Sequence, residues 1–104
     1  MTINTGVGID ELLLPKKAQI LEIASSHGAF NIRVFGSVAR GEATDASDID
    51  FLVDYDPARR TPWFPMGLIQ DLQDLLGRKV DVATVGMLRE DRGRAQILAE
   101  AIKL

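Results

Sequence analysis

VFGSVARGEATDASDIDFLVD, residues Val34–Asp54, divides into three parts. An apolar run from Ile32 to Phe35 stops abruptly at Gly36-Ser37. A short polar loop carries Arg40, Gly41 and Glu42. Ser47-Asp48-Ile49-Asp50 then opens a second apolar run through Val53. The order is strand, glycine-marked turn, loop, strand. Along the second strand, side chains alternate between faces. Ile49, Phe51 and Val53 turn to a core, while Asp48 and Asp50 share the other face, roughly 7 Å apart. Two such anions repel, and each raises the other's pKa unless a cation intervenes.

Paired carboxylates facing one point suit Mg²⁺, which takes one or two carboxylates together with substrate phosphates. Gly36-Ser37 supplies the complementary half, because glycine lets a backbone come close to a phosphate. If Ser37 to Gly41 opens a helical turn, its free N–H groups favour an anion.

The remaining chain reads around this pair. Met1–Gly8 lacks periodicity and is expected to be a loose terminus. Ile9–Leu14 forms a short turn against the core, and Pro15 suits a helix start. Lys16–His27 carries apolar residues at helical spacing and stops at Gly28, a left-handed cap. His27 reads as a helix-end residue rather than a base. The first strand covers Asn31–Phe35 and the second Asp50–Tyr55. In the loop Asp56–Pro65, Trp63 is either a core anchor or part of a partner surface, and Arg59-Arg60 is a solvated pair or, near the end of the second strand, faces a phosphate or an acidic partner.

After Pro65 a helix presents Leu68, Ile69, Leu72, Leu75 and Leu76 on one stripe, and Gly77 closes it. Asp81 interrupts the apolar strand Val80–Val85. Asp81 is either an edge residue looking at water or a third acid beside Asp48 and Asp50, and the cost of an unpaired carboxylate in a buried strand favours the second. Gly86–Arg94 is a charged connector. Ile97, Leu98, Ala101 and Ile102 recur at helical spacing, so a short terminal helix is expected to cap the core.

Composition narrows the class. The chain has 104 residues, 46% of them apolar, consistent with one globular domain over 1–104. A net charge of −3 gives no basic surface for direct nucleic-acid binding. From Glu42 to Asp56 there are six acids and no Lys or Arg. Cysteine is absent, which excludes disulfides and thiolate metal sites. No run is long enough to span a membrane, and no signal-peptide pattern opens the chain, so a cytoplasmic location is expected. The expected fold class is α/β (α+β): a small mixed β-sheet with helices packed mainly on one face.

Gly36-Ser37, Arg40-Gly41 and Ser47-Asp48-Ile49-Asp50 together resemble the Gly-Ser…Asp-x-Asp signature of the DNA polymerase beta-type nucleotidyltransferase superfamily. The specific form resembles its smallest members, the minimal nucleotidyltransferase (MNT) domains, often the antitoxin half of HEPN–MNT toxin–antitoxin pairs. The likeness runs from about Ile20 to Leu104, including a terminal Ile-Leu-x-Glu-Ala stretch.

It implies a nucleotidyltransferase fold and an enzyme that moves AMP from ATP to a hydroxyl, with two Mg²⁺ ions. Asp48 and Asp50 would bridge both ions, and Asp81 would hold the ion on the attacking hydroxyl and accept its proton. Gly36 and Ser37 would bind the triphosphate. Arg40 would add charge there, or pair with Glu42 or Asp45. Ser47, placed with the nucleotide-binding group, would cap or hydrogen-bond Asp48. The implied acceptor is a tyrosine of a partner HEPN toxin docking on the open side of the sheet. Two other classes stay open: an antitoxin that neutralises its partner by binding alone, and a nucleotidyltransferase acting on a small aminoglycoside-like polyol.

Overall fold

A seven-residue strand, β1 (Ala29–Phe35), pairs antiparallel with β2 (Ile49–Tyr55), placing Val34 opposite Phe51 and Phe35 opposite Asp50. The structure is a computed structural model that describes residues 6–88 and 92–104. Before β1 come a single turn, α1 (Ile9–Leu12), a 3-10 turn at Leu14–Lys16 containing Pro15, and α2 (Lys17–Ser26). A short helix, α3 (Gly36–Ala39), follows β1 directly. After β2 the chain crosses through α4 (Met66–Leu76) to β3 (Val80–Ala83), which pairs parallel to β2. It ends with α5 (Arg92–Glu100) and β4 (Ile102–Lys103). The sheet is mixed, in the order β3-β2-β1-β4.

Alternation decides which face is covered. Ile32, Val34, Ile49, Phe51, Val53, Val80 and Val82 form one core cluster with Ile20 and Ala24 of α2 and Leu68 and Leu72 of α4. Burying each of the larger side chains stabilises the fold by about 1.5–3 kcal/mol. Helices α2 and α4 contact each other and lie against β1 and β3 respectively. Pairing puts Phe35, Asp50, Asp54 and Asp81 on the opposite face. That face is not bare, since Leu52, in register with Arg33 and Ala83, is fully buried there.

The first two strands and the helices α2 and α4 fall where periodicity places them, within two residues at each end. Gly28 and Gly77 end their helices at φ 79° and 66°, the left-handed geometry expected of such caps. Of the expected loose terminus, residues 1–5 lie outside the described residues. Val7 exchanges backbone hydrogen bonds with Ala43 at 2.9 and 3.0 Å, and Gly8 is buried.

Three expectations are corrected. The third strand ends at Ala83 rather than Val85, because the chain turns into a 3-10 segment at Val85–Met87 on the buried Thr84. The chain does not end in a helix that caps the core: α5 stops at Glu100, and Ile102–Lys103 pairs with β1. Leu98 and Ile102 are 40% and 46% exposed. The free edge of β1 supplies a long-range partner that outweighs the local helical pattern. Trp63 is not a core anchor but stands 78% exposed.

His27 sits at the end of α2, but its ring is held by side chains. Its Nδ1 lies 2.9 Å from Thr61 Oγ1 and its Nε2 2.7 Å from Asp71 Oδ2, joining α2 to the loop and α4. Arg59 and Arg60 are exposed, with the Arg60 guanidinium 5.5 Å above the Tyr55 ring.

Candidate active site

The antiparallel β1–β2 pair brings a strand end and a strand start to one edge. Phe35 is opposite Asp50, so Gly36 begins α3 directly beside the Asp50 carboxylate. Gly36 has φ 76°, and a Cβ placed there would run into Asp50 Oδ2. No other residue fits, on both conformational and spatial grounds. The glycine allows the turn and the close approach at once.

Parallel pairing of β2 with β3 puts Asp50 opposite Asp81 on the same face. Asp48 immediately precedes β2, with Lys79 Nζ 3.9 Å from its Oδ2. Burial, then the charges of Asp81, Asp48 and Glu100, push the Asp50 carboxyl up to about 6, while Arg40 opposes them. The desolvation premise for Asp81 does not hold: β3 is an edge strand, Asp81 is exposed, and its Oδ1 accepts from Val82 N at 3.0 Å. The carboxylate that is half-buried is Asp50.

Among the described residues, no three acidic or histidine side chains are close enough to form a ready-made cation cage. The donor set is nonetheless all oxygen, anionic and short of neutralising partners. It fits a hard cation whose shell is completed by water and substrate phosphates.

Ser47 is placed differently from expectation, while Arg40 takes one of its expected pairings. Ser47 does not bond Asp48; its Oγ accepts from Thr44 N at 2.9 Å and lies 3.3 Å from Thr44 Oγ1, closing the loop before β2. Arg78 holds the same loop, donating to Thr44 O at 2.7 Å. Arg40 lies beside Gly36, and of the two pairings considered it makes the one to Glu42, at 3.0 Å, and not the one to Asp45.

Glu100 was not legible as a site residue. Its Oε1 accepts from Gly36 N at 2.6 Å and from Arg40 Nη1 at 2.8 Å. The only signal was the Glu of the Ile-Leu-x-Glu-Ala stretch, more than sixty positions from Gly36 in sequence. A cleft of about 540 Å³ adjoins Arg40 between α1, α3 and β4, and Asp48, Asp50 and Asp81 are not among the residues lining it.

A glycine turn beside a half-buried carboxylate, with a second carboxylate in register on a mixed sheet, is the arrangement a nucleotidyltransferase domain presents. The chain belongs to that family: the model for the nucleotidyltransferase domain matches residues 17–104. It is 35% identical to MJ0435 of Methanocaldococcus jannaschii, provisionally named a protein adenylyltransferase, over 83% of this chain and 90% of that one. It is 36% identical to the protein adenylyltransferase MntA of Thermococcus cleftensis, over 78% of each chain. A solved structure described provisionally as a minimal nucleotidyltransferase superposes with a TM-score of 0.78 at 40% identity, covering 96% of this chain and 99% of the other. A toxin–antitoxin crystal structure with AMP-PNP shares the fold, with a TM-score of 0.62 at 22% identity, covering 84% of this chain and 70% of the other.

Proposed function

We propose that the protein transfers AMP from ATP to a hydroxyl of a partner protein, and that the partner is a toxin silenced by this modification. The observation that carries the reading is the direct apposition of Gly36 to Asp50, with Asp81 in register beside it. A phosphate-approach point and a carboxylate pair thereby share one edge. The relatives named protein adenylyltransferases and the toxin–antitoxin neighbour with AMP-PNP support the acceptor class and the nucleotide.

In the reaction, the acceptor oxygen bonds to the α-phosphorus of ATP as the bond to the bridging oxygen of pyrophosphate breaks. Gly36 N–H, the Ser37 hydroxyl and Arg40 hold the triphosphate and orient it. Asp81, exposed at the sheet edge, faces an incoming hydroxyl and takes its proton. Asp48, Asp50 and Asp81 would hold Mg²⁺, which when bound neutralises phosphate oxygens and lowers the barrier for in-line displacement. Nothing in the site selects a tyrosine over another hydroxyl. A HEPN toxin as acceptor is supported by the motif resemblance described above.

The test pairs activity with neutralisation. Wild type and the Asp48→Ala/Asp50→Ala double variant are co-expressed with a candidate toxin partner that arrests growth when expressed alone. The expected result is protection by wild type and loss of protection by the double variant, with its melting temperature no lower than that of wild type. Equal protection by both assigns neutralisation to binding alone and contradicts the reading.

A further inference from the structure

Glu100 occupies donors that the proposed function assigns to phosphate. Its Oε1 takes the N–H of Gly36 and the guanidinium of Arg40 together, and its side chain is only 19% exposed. Both bonds are short and charge-assisted, the stronger kind. An N–H engaged this way has no second hydrogen to offer a phosphate oxygen. Glu100 also adds a negative charge near Asp50, so its position is not explained by relief of the acidic cluster.

Glu100 is the last residue of α5, which contacts α3, and the two-residue β4 follows after Ala101. Leu98 on α5 and Ile102 on β4 are both substantially exposed. Such a segment opens locally far more readily than the helices over the core.

We propose that Glu100 is a built-in competitor for nucleotide: in the free protein its carboxylate occupies the Gly36 N–H and the Arg40 guanidinium, and ATP binds only when the end of α5 withdraws. This rests on the reading that Gly36 and Arg40 receive the triphosphate. The device favours an empty, closed site at low nucleotide and couples nucleotide entry to movement of α5 and β4. Linkage then runs both ways: whatever holds α5 away from α3 tightens nucleotide binding, and bound nucleotide loosens α5.

The test is calorimetric titration of the full chain with AMP-PNP and Mg²⁺, using wild type, Glu100→Gln and Glu100→Ala. Removing the competing charge is expected to lower Kd at least tenfold in Glu100→Gln and further in Glu100→Ala. Hydrogen exchange provides the second readout. Saturating AMP-PNP is expected to speed amide exchange across residues 92–104 of wild type while slowing it at Gly36 and Ser37. If wild type binds nucleotide and both variants bind equally or more weakly, Glu100 is a structural staple and the inference fails while the site reading stands. If wild type and both folded variants all fail to bind nucleotide, the site reading itself fails, and the inference with it.

Discussion

At the scale of single residues, Gly36 and Asp50 are each shaped by the other. Gly36→Ala introduces a Cβ at φ 76° and pushes it into the Asp50 carboxylate. We expect a loss of about 1–3 kcal/mol by thermal or denaturant unfolding, together with loss of nucleotide binding. Asp50 gives a pH-dependent result. Its folded pKa is raised from 3.8 to about 6, so the folded chain holds this proton more tightly than the unfolded chain. Between those values stability contributed by this group falls as pH rises, and the cost is complete above the folded pKa.

Asp50→Asn is therefore expected to be more stable than wild type at pH 7.5 without divalent cation. The gain is about 1–2 kcal/mol after allowance for the group's partial exposure, and it shrinks towards zero below pH 4. Melting curves across that range check the sign. The two carboxylates at β2 were legible because strand alternation puts them on one face. Glu100 was not, because only tertiary structure brings residue 100 to residue 36.

At the scale of elements, pairing rules account for what periodicity misplaces. The pattern at Ile97, Leu98, Ala101 and Ile102 is helical in sequence, yet β1 offers an open edge and takes Ile102–Lys103 as β4. Leu104 N then donates to Ile32 O at 2.9 Å, and Leu104 packs against the core. Deleting residues 102–104 is expected to lower stability by about 1–2 kcal/mol, measured by urea unfolding.

Asp81 shows the reverse case. Asp81 is not buried, since β3 is an edge strand, but parallel register with β2 still sets it opposite Asp50. At the other end of the sheet, His27 links α2 to Asp71 of α4. His27→Ala is expected to cost about 1–3 kcal/mol and to leave nucleotide binding at the wild-type Kd, which separates a structural role from a catalytic one.

At the scale of the molecule, the helices α2 and α4 commit one face of the sheet to the core and leave Asp50 and Asp81 on the other. The α/β class and the single layer of helices were legible from two kinds of periodicity. The order of strands was not, because edge occupancy depends on contacts distant in sequence. An acidic chain that binds a polyanion needs its charge offset at the site, so chelation of divalent cation is expected to abolish AMP-PNP binding. The measurement that bears most directly on the central claim is intact mass spectrometry of the proposed toxin partner after incubation with this protein, ATP and Mg²⁺. The toxin is expected to gain the mass of one or more adenylyl groups with wild type and none with folded Asp48→Ala/Asp50→Ala. An unchanged toxin mass with wild type, or an equal gain with the double variant, would contradict the account.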